Sequence, residues 1–135
     1  MNNPSFVHLD VNTEYSLGRS IIRRDALIDA CIEMDMPAFG VTEHNNLFSA
    51  YKLFKSSQKK GIKYIIGSTI TIIDQAERSK SNLSLLCENE IGYKNLCGLI
   101  TKSYIKGLSQ NEPLIDIKWL EGQTDGLIAI SPYSN

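Results

Sequence analysis

A short apolar run that ends in an acid–histidine pair is the feature that most limits how this chain can fold. Residues 37–41 are almost entirely apolar, Glu43 and His44 follow them, and a helical pattern opens at Leu47. A buried strand that runs straight into a helix is typical of parallel-sheet proteins, whose ligands bind outside the carboxyl ends of the strands. The sequence therefore indicates an α/β fold with a functional site near His44.

Strand-like and helix-like segments alternate along the rest of the chain. Strands are predicted at 6–11, 38–42, 62–73, 82–87 and 126–130, and helices at 24–34, 47–60, 91–105 and 116–120. Residues 74–81 contain one apolar side chain, Ala76, and are predicted to form an exposed loop. This alternation favours mostly parallel strands with flanking helices and right-handed crossovers.

Composition restricts the class of protein further. The 135 residues are 42% apolar and 21% charged, as in one ordinary globular domain, and the net charge of −1 provides no general attraction to nucleic acid. Three scattered cysteines without zinc spacing indicate a reducing cytoplasm, and no apolar run is long enough to suggest a membrane partner. Because residues 131–135 follow a predicted strand directly, we expect a fragment of a longer chain. A complete small βα domain is the alternative.

Several strings, taken together and in order, resemble the PHP (polymerase and histidinol phosphatase) domain that begins the alpha subunit of bacterial replicative DNA polymerases. They are FVHL at 6–9, YS at 15–16, MPA at 36–38, TEHNNLF at 42–48, GIKYIIG at 61–67, LSLL at 83–86, NEIGYKNL at 89–96 and DGLIAIS at 125–131. PHP domains are similar to a distorted βα barrel, and a full barrel takes about 200–250 residues. The resemblance therefore implies that residues 1–135 are the amino-terminal part of such a domain.

The resemblance also implies where a metal site would lie. Active PHP domains bind two or three metal ions that activate water for phosphoester hydrolysis. The matching positions in this chain are Asp10 and Asn12 for a His-x-His pair, Arg19 for an acid, Glu43 and His44 for an acid–histidine pair, and Thr69 for a glutamate. Only His44 keeps the family's ligand type. The expectation is a degenerate site with no catalytic residue and no bound metal.

Arg19 is the strongest departure from the family pattern. A guanidinium only donates hydrogen bonds and cannot bind a metal ion. We expect Arg19 to pair with Asp10 or Glu43 and so to replace the metal as the positive centre of the site. Two alternatives stay open, an Arg19 that points into solvent and a weak single divalent ion at Asp10, Glu43 and His44. The other histidine, His8, is predicted to be a hydrogen-bonded structural residue.

The resemblance implies a scaffold in DNA replication. PHP domains with degenerate sites dock the proofreading exonuclease subunit, so the implied partners are that subunit, the rest of the alpha subunit and, through it, DNA. The parent polymerase would use magnesium in a palm domain beyond residue 135, and this chain contains no Asp-x-Asp pair suited to that chemistry. The alternative function is a metal-dependent phosphoesterase or exonuclease of the PHP family, although two histidines are few for it.

The helix predicted at 47–60 carries a basic stripe. Lys52, Lys55 and Lys59 recur at helical spacing, and we interpret them as a solvated face opposite inward-facing Tyr51 and Phe54. A contact of these lysines with DNA phosphates or with an acidic partner is the functional alternative.

Overall fold

The structure, a computed structural model, describes residues 6–131. Within them the elements are α1 (Arg24–Glu33), β1 (Ala38–His44), α2 (Ala50–Lys60), β2 (Lys63–Asp74), β3 (Ser79–Cys87), α3 (Glu90–Lys106), β4 (Leu108–Ser109), β5 (Glu112–Pro113), β6 (Ile115–Asp116), a 3-10 helix (Ile117–Leu120) and β7 (Leu127–Ile130). The helices predicted at 24–34 and 91–105 are confirmed to within one residue at each end. None of the helices in this part of the chain is long and apolar enough to cross a membrane.

The main sheet has the order β1-β2-β3-β7, and β6 pairs with the end of β2. β1 and β6 run parallel to β2, whereas β3 is antiparallel to both β2 and β7. The predicted α/β class is confirmed. The exposed loop predicted at 74–81 is confirmed only at 75–78, which form a turn; its extent is wrong, because β2 and β3 form a hairpin in which Asp74 pairs with Ser79. Polar, exposed residues at the hairpin tip hid this pairing from the hydrophobic pattern.

The segment predicted as a first strand at 6–11 is only partly paired. Val11 forms an isolated parallel bridge with Val41, and the amide of Gly40 donates to the carbonyl oxygen of His8 at 2.7 Å. A Cβ atom at position 40 would lie 2.9 Å from the carbonyl oxygen of Leu9. Glycine in β1 therefore lets this segment approach closely, although the segment does not form a continuous strand ladder.

The predicted helix at 47–60 begins later, at Ala50, because residues 46–49 form a turn in which the amide of Phe48 donates to Asn46 Oδ1 at 3.0 Å. Its buried residues include Ala50 and Leu53. The prediction that Tyr51 and Phe54 face inward is wrong, since their side chains are 70% and 43% exposed. No described element packs tightly enough on this flank of α2 to cover them.

The two faces of the sheet have opposite chemistry. One face carries the core, whose buried side chains form a cluster under α1 and α2 (Leu27, Ile28, Cys31, Phe39, Val41, Leu53, Ile62) and another under α3 (Ile70, Ile72, Leu85, Leu96, Leu99, Ile115). The other face carries Thr42, Thr69, Thr71 and Ser84, which lie on neighbouring strands in register. These polar groups cluster beside the carboxyl end of β1, where His44 pairs with Thr69, and mark this part of the face as the candidate site.

Candidate functional site

A left-handed turn ends β1 and shapes the site. Asn45 has φ +53°, a conformation that asparagine tolerates better than most residues. Its side chain fixes the turn to β2, because Asn45 Oδ1 accepts from the amide of Thr71 at 2.9 Å and Nδ2 donates to Thr71 Oγ1 at 3.0 Å. Tyr104 of α3 donates its hydroxyl to the carbonyl oxygen of Asn45 at 3.0 Å. Sequence reasoning missed Asn45 and Tyr104, although the Asn-Asn pair was a turn signal.

Glu43 is buried and surrounded by hydrogen-bond donors. Its side chain is 1% exposed. Glu43 Oε2 accepts from the amide of Thr13 at 3.2 Å and Oε1 accepts from Ser49 Oγ at 2.8 Å, while the hydroxyls of Thr13 and Ser16 donate to Oε1 and Oε2. All three hydroxyl residues are buried. The carboxylate thus ties residues 13–16 to β1 and to the start of α2.

A second network joins three of the predicted positions on the polar face. Asp10 Oδ1 accepts from Ser84 Oγ at 3.1 Å and from the hydroxyl of Thr42. Thr69 Oγ1 and Ser84 Oγ are 2.8 Å apart, and the side-chain amide of Asn12 donates to the carbonyl oxygen of Thr42. The structure therefore brings Asp10, Asn12 and Thr69 together, and it adds Thr42 and Ser84, which the sequence did not single out.

Arg19 does not pair with a carboxylate, and this part of the sequence prediction is wrong. Its Nη2 atom lies 3.1 Å from His44 Nε2, and Arg19 has no ion pair within residues 6–131. For Glu43 the reason is strand alternation, because Glu43 and His44 are successive residues and leave β1 on opposite faces. Glu43 points toward the helices, out of reach of Arg19, and the serine and threonine hydroxyls satisfy it there. Asp10 accepts from the hydroxyls of Thr42 and Ser84 instead.

His44 is held as a neutral imidazole. Arg19 and Asn45 Nδ2, at 3.1 and 3.2 Å, can only donate to His44 Nε2, so the ring proton is assigned to Nδ1. Burial lowers the pKa of His44, the Arg19 guanidinium lowers it further, and Glu112 partly opposes this shift. Nδ1 is buried without a hydrogen-bond partner among the described residues. Nε2, the nitrogen whose lone pair could bind a metal ion, therefore faces two hydrogen-bond donors.

Two further predictions concern a metal ion at Asp10, Glu43 and His44 and a hydrogen bond of the His8 side chain. No group of three His, Cys, Asp or Glu side chains within the described residues could hold a metal ion, so Asp10, Glu43 and His44 do not form one such group. His8 is exposed and makes an edge-to-face contact with Phe6, whose ring centroid is 4.8 Å away. The hydrogen bond predicted for its side chain is not formed within residues 6–131.

A mixed βα sheet with a polar cluster beside the carboxyl end of β1 defines a class of fold that solved structures share. The chain is similar to a proposed metal-dependent phosphoesterase from Bifidobacterium adolescentis, with a TM-score of 0.57 and 14% identity over 91% of this chain and 44% of that chain. It is also similar to an amidohydrolase from Chromobacterium violaceum, solved with sulfate and no metal, with a TM-score of 0.58 and 14% identity over 76% of this chain and 34% of that one. These similarities support the fold.

Sequence comparison then gives the family. The PHP domain family matches residues 8–135, so the chain belongs to the PHP domain family. It is 38% identical over 128 residues to DNA polymerase III subunit alpha of Pseudomonas aeruginosa and 34% identical over 132 residues to that of Vibrio cholerae. The chain spans 11% of the length of each of these two relatives and is homologous to their amino-terminal region.

Proposed function

We propose that this chain is the amino-terminal part of a PHP domain in a bacterial replicative polymerase alpha subunit, and that the domain acts as a scaffold with a degenerate metal site. Its partners would be the proofreading exonuclease subunit, the rest of the alpha subunit and, through the whole protein, DNA in the cytoplasm. Homology to the amino-terminal region of DNA polymerase III subunit alpha supports this placement. Magnesium-dependent nucleotidyl transfer would belong to another part of the polymerase.

One observation carries the proposal of a degenerate site. Hydrogen-bond donors occupy the positions from which a PHP metal cluster would be held. The guanidinium of Arg19 faces His44 Nε2, hydroxyls of Thr42 and Ser84 face Asp10, and four donors face Glu43. Metal ions need lone pairs that are free of protons, and a permanently charged guanidinium repels a dication. The residues present therefore do not fit a cluster of two or three ions.

A second candidate function is a metal-dependent phosphoesterase. The observation that favours it is the fold similarity to a proposed enzyme of that type, together with a pocket of about 290 Å³ beside His44, lined also by Tyr15, Asn46 and Tyr104. This candidate requires Arg19 to move off His44 and at least one carboxylate to exchange its hydroxyl donors for an ion. The metal experiment separates the two functions.

That experiment is a titration of the full-length protein with Mn²⁺ and Zn²⁺ by calorimetry, together with metal analysis of the protein as purified. We expect no stoichiometric metal and no binding heat that depends on the PHP domain. We also expect no stabilisation, whereas a site at one hundred times its Kd would add about 2.7 kcal/mol. One or more ions per chain, with binding lost in His44→Ala, would contradict the degenerate site and favour the phosphoesterase.

A further inference from the structure

An apolar groove runs between α2 and α3 over the start of β2. Three adjoining cavities of about 710, 240 and 440 Å³ lie along it. Its lining side chains come from residues 46–54 on one side (Leu47, Phe48, Tyr51, Phe54), from α3 on the other (Tyr93, Cys97, Ile100, Tyr104, Ile105) and from β2 on the floor (Tyr64, Ile66). From Tyr93 to Tyr104 the α3 wall is about 16 Å long, which equals about three turns of helix.

The groove walls are far more exposed than a core would be. Phe48, Tyr51 and Ile105 are 67%, 70% and 73% exposed, although they stand beside partly buried apolar neighbours. The apolar wall residues recur at three- and four-residue spacing, so each wall presents a continuous apolar stripe toward the groove. Contiguous apolar patches of this kind mark interaction sites rather than ordinary surface.

The two edges of the groove differ in charge. α2 contains four lysines and no acidic residue, and among the residues that the structure describes only Lys60 of these four pairs with a carboxylate, that of Asp29. Lys55 Nζ lies 5.7 Å from the ring centroid of Tyr51 on the groove wall, and Lys63 lines the groove at its end. Neither lysine has a carboxylate partner within residues 6–131.

Two lysines on the α3 edge, in contrast, have partners. Lys94 pairs with Glu90 at 2.8 Å, and Lys102 Nζ lies 4.3 Å from the ring centroid of Trp119. Glu88 and Glu90 line the same cavity as Lys63, and Glu88 has no ion pair within residues 6–131. The groove therefore combines an apolar floor with two unpaired lysines, Lys55 on α2 and Lys63 at the start of β2, and with one unpaired carboxylate, Glu88, just before α3.

From this chemistry we propose that the groove binds an amphipathic helix of a protein partner. Apolar side chains spaced three and four residues apart would fill the three cavities, and carboxylates on one flank would face Lys55 and Lys63. The inference rests on the proposed docking function and deepens it by naming the docking surface and the chemistry of the segment that it takes. Lys59 lies one helical turn after Lys55 and extends the same edge.

The test uses the full-length protein and the proofreading exonuclease subunit of the same bacterium, with Kd measured by surface plasmon resonance. Ile105→Ser removes an exposed groove side chain, and Ile21→Ser is its matched control, because Ile21 is 95% exposed and does not line the groove. Lys55→Glu reverses the edge charge, and Lys118→Glu reverses an exposed lysine of the 3-10 helix. We expect about tenfold weaker binding for each groove variant and unchanged binding for both controls.

The outcomes separate the groove from the docking function. If the wild-type protein binds the exonuclease subunit and the groove variants bind equally well, the groove assignment is overturned while docking stands. If the wild-type protein does not bind at all, the docking function itself fails and the inference with it. A groove variant that binds normally to the subunit, but loses binding to a dT20 oligonucleotide or loses self-association in light scattering, also overturns the proposal. Thermal unfolding of each variant verifies that the exposed substitutions leave the fold intact.

Discussion

The buried carboxylate of Glu43 gives the sharpest prediction about how this fold is held together. Glu43 is 1% exposed and accepts from the amide of Thr13, from the hydroxyls of Thr13 and Ser16, and from Ser49. A buried carboxylate without a cation is stable only when donors compensate its lost hydration. If that is its role here, Glu43→Ala destabilises the protein even though no metal is involved.

The size of the effect follows from the contacts. Removing the side chain leaves the amide of Thr13 without a partner, which costs about 1–3 kcal/mol, and deletes the Cγ methylene, which contributes about 0.8 kcal/mol. The three hydroxyls can partly re-pair, so we expect a total loss of about 3–5 kcal/mol in the free energy of unfolding. Glu43→Gln should cost less, about 1–2 kcal/mol, because Thr13 and Ser49 hydroxyls can rotate and accept from the amide.

The assay is urea unfolding followed by circular dichroism, with and without EDTA. The exposed residue Glu33 provides a matched control, and Glu33→Ala should lie within about 0.5 kcal/mol of the wild type. EDTA should change none of the unfolding midpoints. A Glu43→Ala variant that is as stable as the wild type would refute the reasoning, because it would mean that the donors around Glu43 contribute nothing net.

Four further results are expected. Gly92→Ala should be strongly destabilising, since its Cβ would lie 1.8 Å from the carbonyl oxygen of Gly126. Gly98→Ala places its Cβ in open space and should stabilise α3 by up to about 1 kcal/mol, and thermal melts of the two variants check both effects. Because the pKa of His44 is lowered in the folded state, the free energy of unfolding should fall as pH drops below about 6.5. If the free energies of unfolding of the wild type and His44→Gln differed by the same amount at every pH, this prediction would be contradicted. Arg19→Ala removes a cause of that shift, so NMR titration should show a higher pKa for His44, and an unchanged titration would count against the contact. Burial, with a smaller contribution from Cys97, raises the pKa of Cys87 to about 11, so its thiol should react with a disulfide reagent at pH 8 much more slowly in the folded protein than in urea.

The regular elements were largely accessible from the sequence. Apolar periodicity placed α1 and α3 to within one residue, because a helix that buries one face must repeat its apolar residues at the helical period. The order of motifs such as TEHNNLF at 42–48 also led to the PHP family, which the comparison confirms over residues 8–135. The same local logic found the exposed turn at 75–78 but missed the pairing of Asp74 and residues 79–81 on either side of it, because residues 79–81 are polar and exposed.

The candidate site shows the limit of local reasoning more clearly. The family resemblance grouped Asp10, Asn12 and Thr69 in one site, and in the structure these side chains are joined through hydrogen bonds to Thr42 and Ser84. It paired Arg19 with a carboxylate because opposite charges attract, but attraction acts only between groups that the backbone places within reach. Strand alternation sends Glu43 to the helix face and leaves His44 beside Arg19.

The sequence alone therefore determined which chemical groups are present and, through the spacing of apolar residues, the order and approximate positions of the helices and strands. Only the tertiary structure decided that buried hydroxyls, rather than Arg19, would satisfy Glu43, because donors from residues 13–16 and 49 converge on it from distant parts of the chain. The tertiary structure likewise left Tyr51 exposed in a groove, although its helical position resembles a core position. Whether an apolar side chain is buried depends on which neighbour packs over it, and that neighbour is fixed by the fold and not by the local pattern.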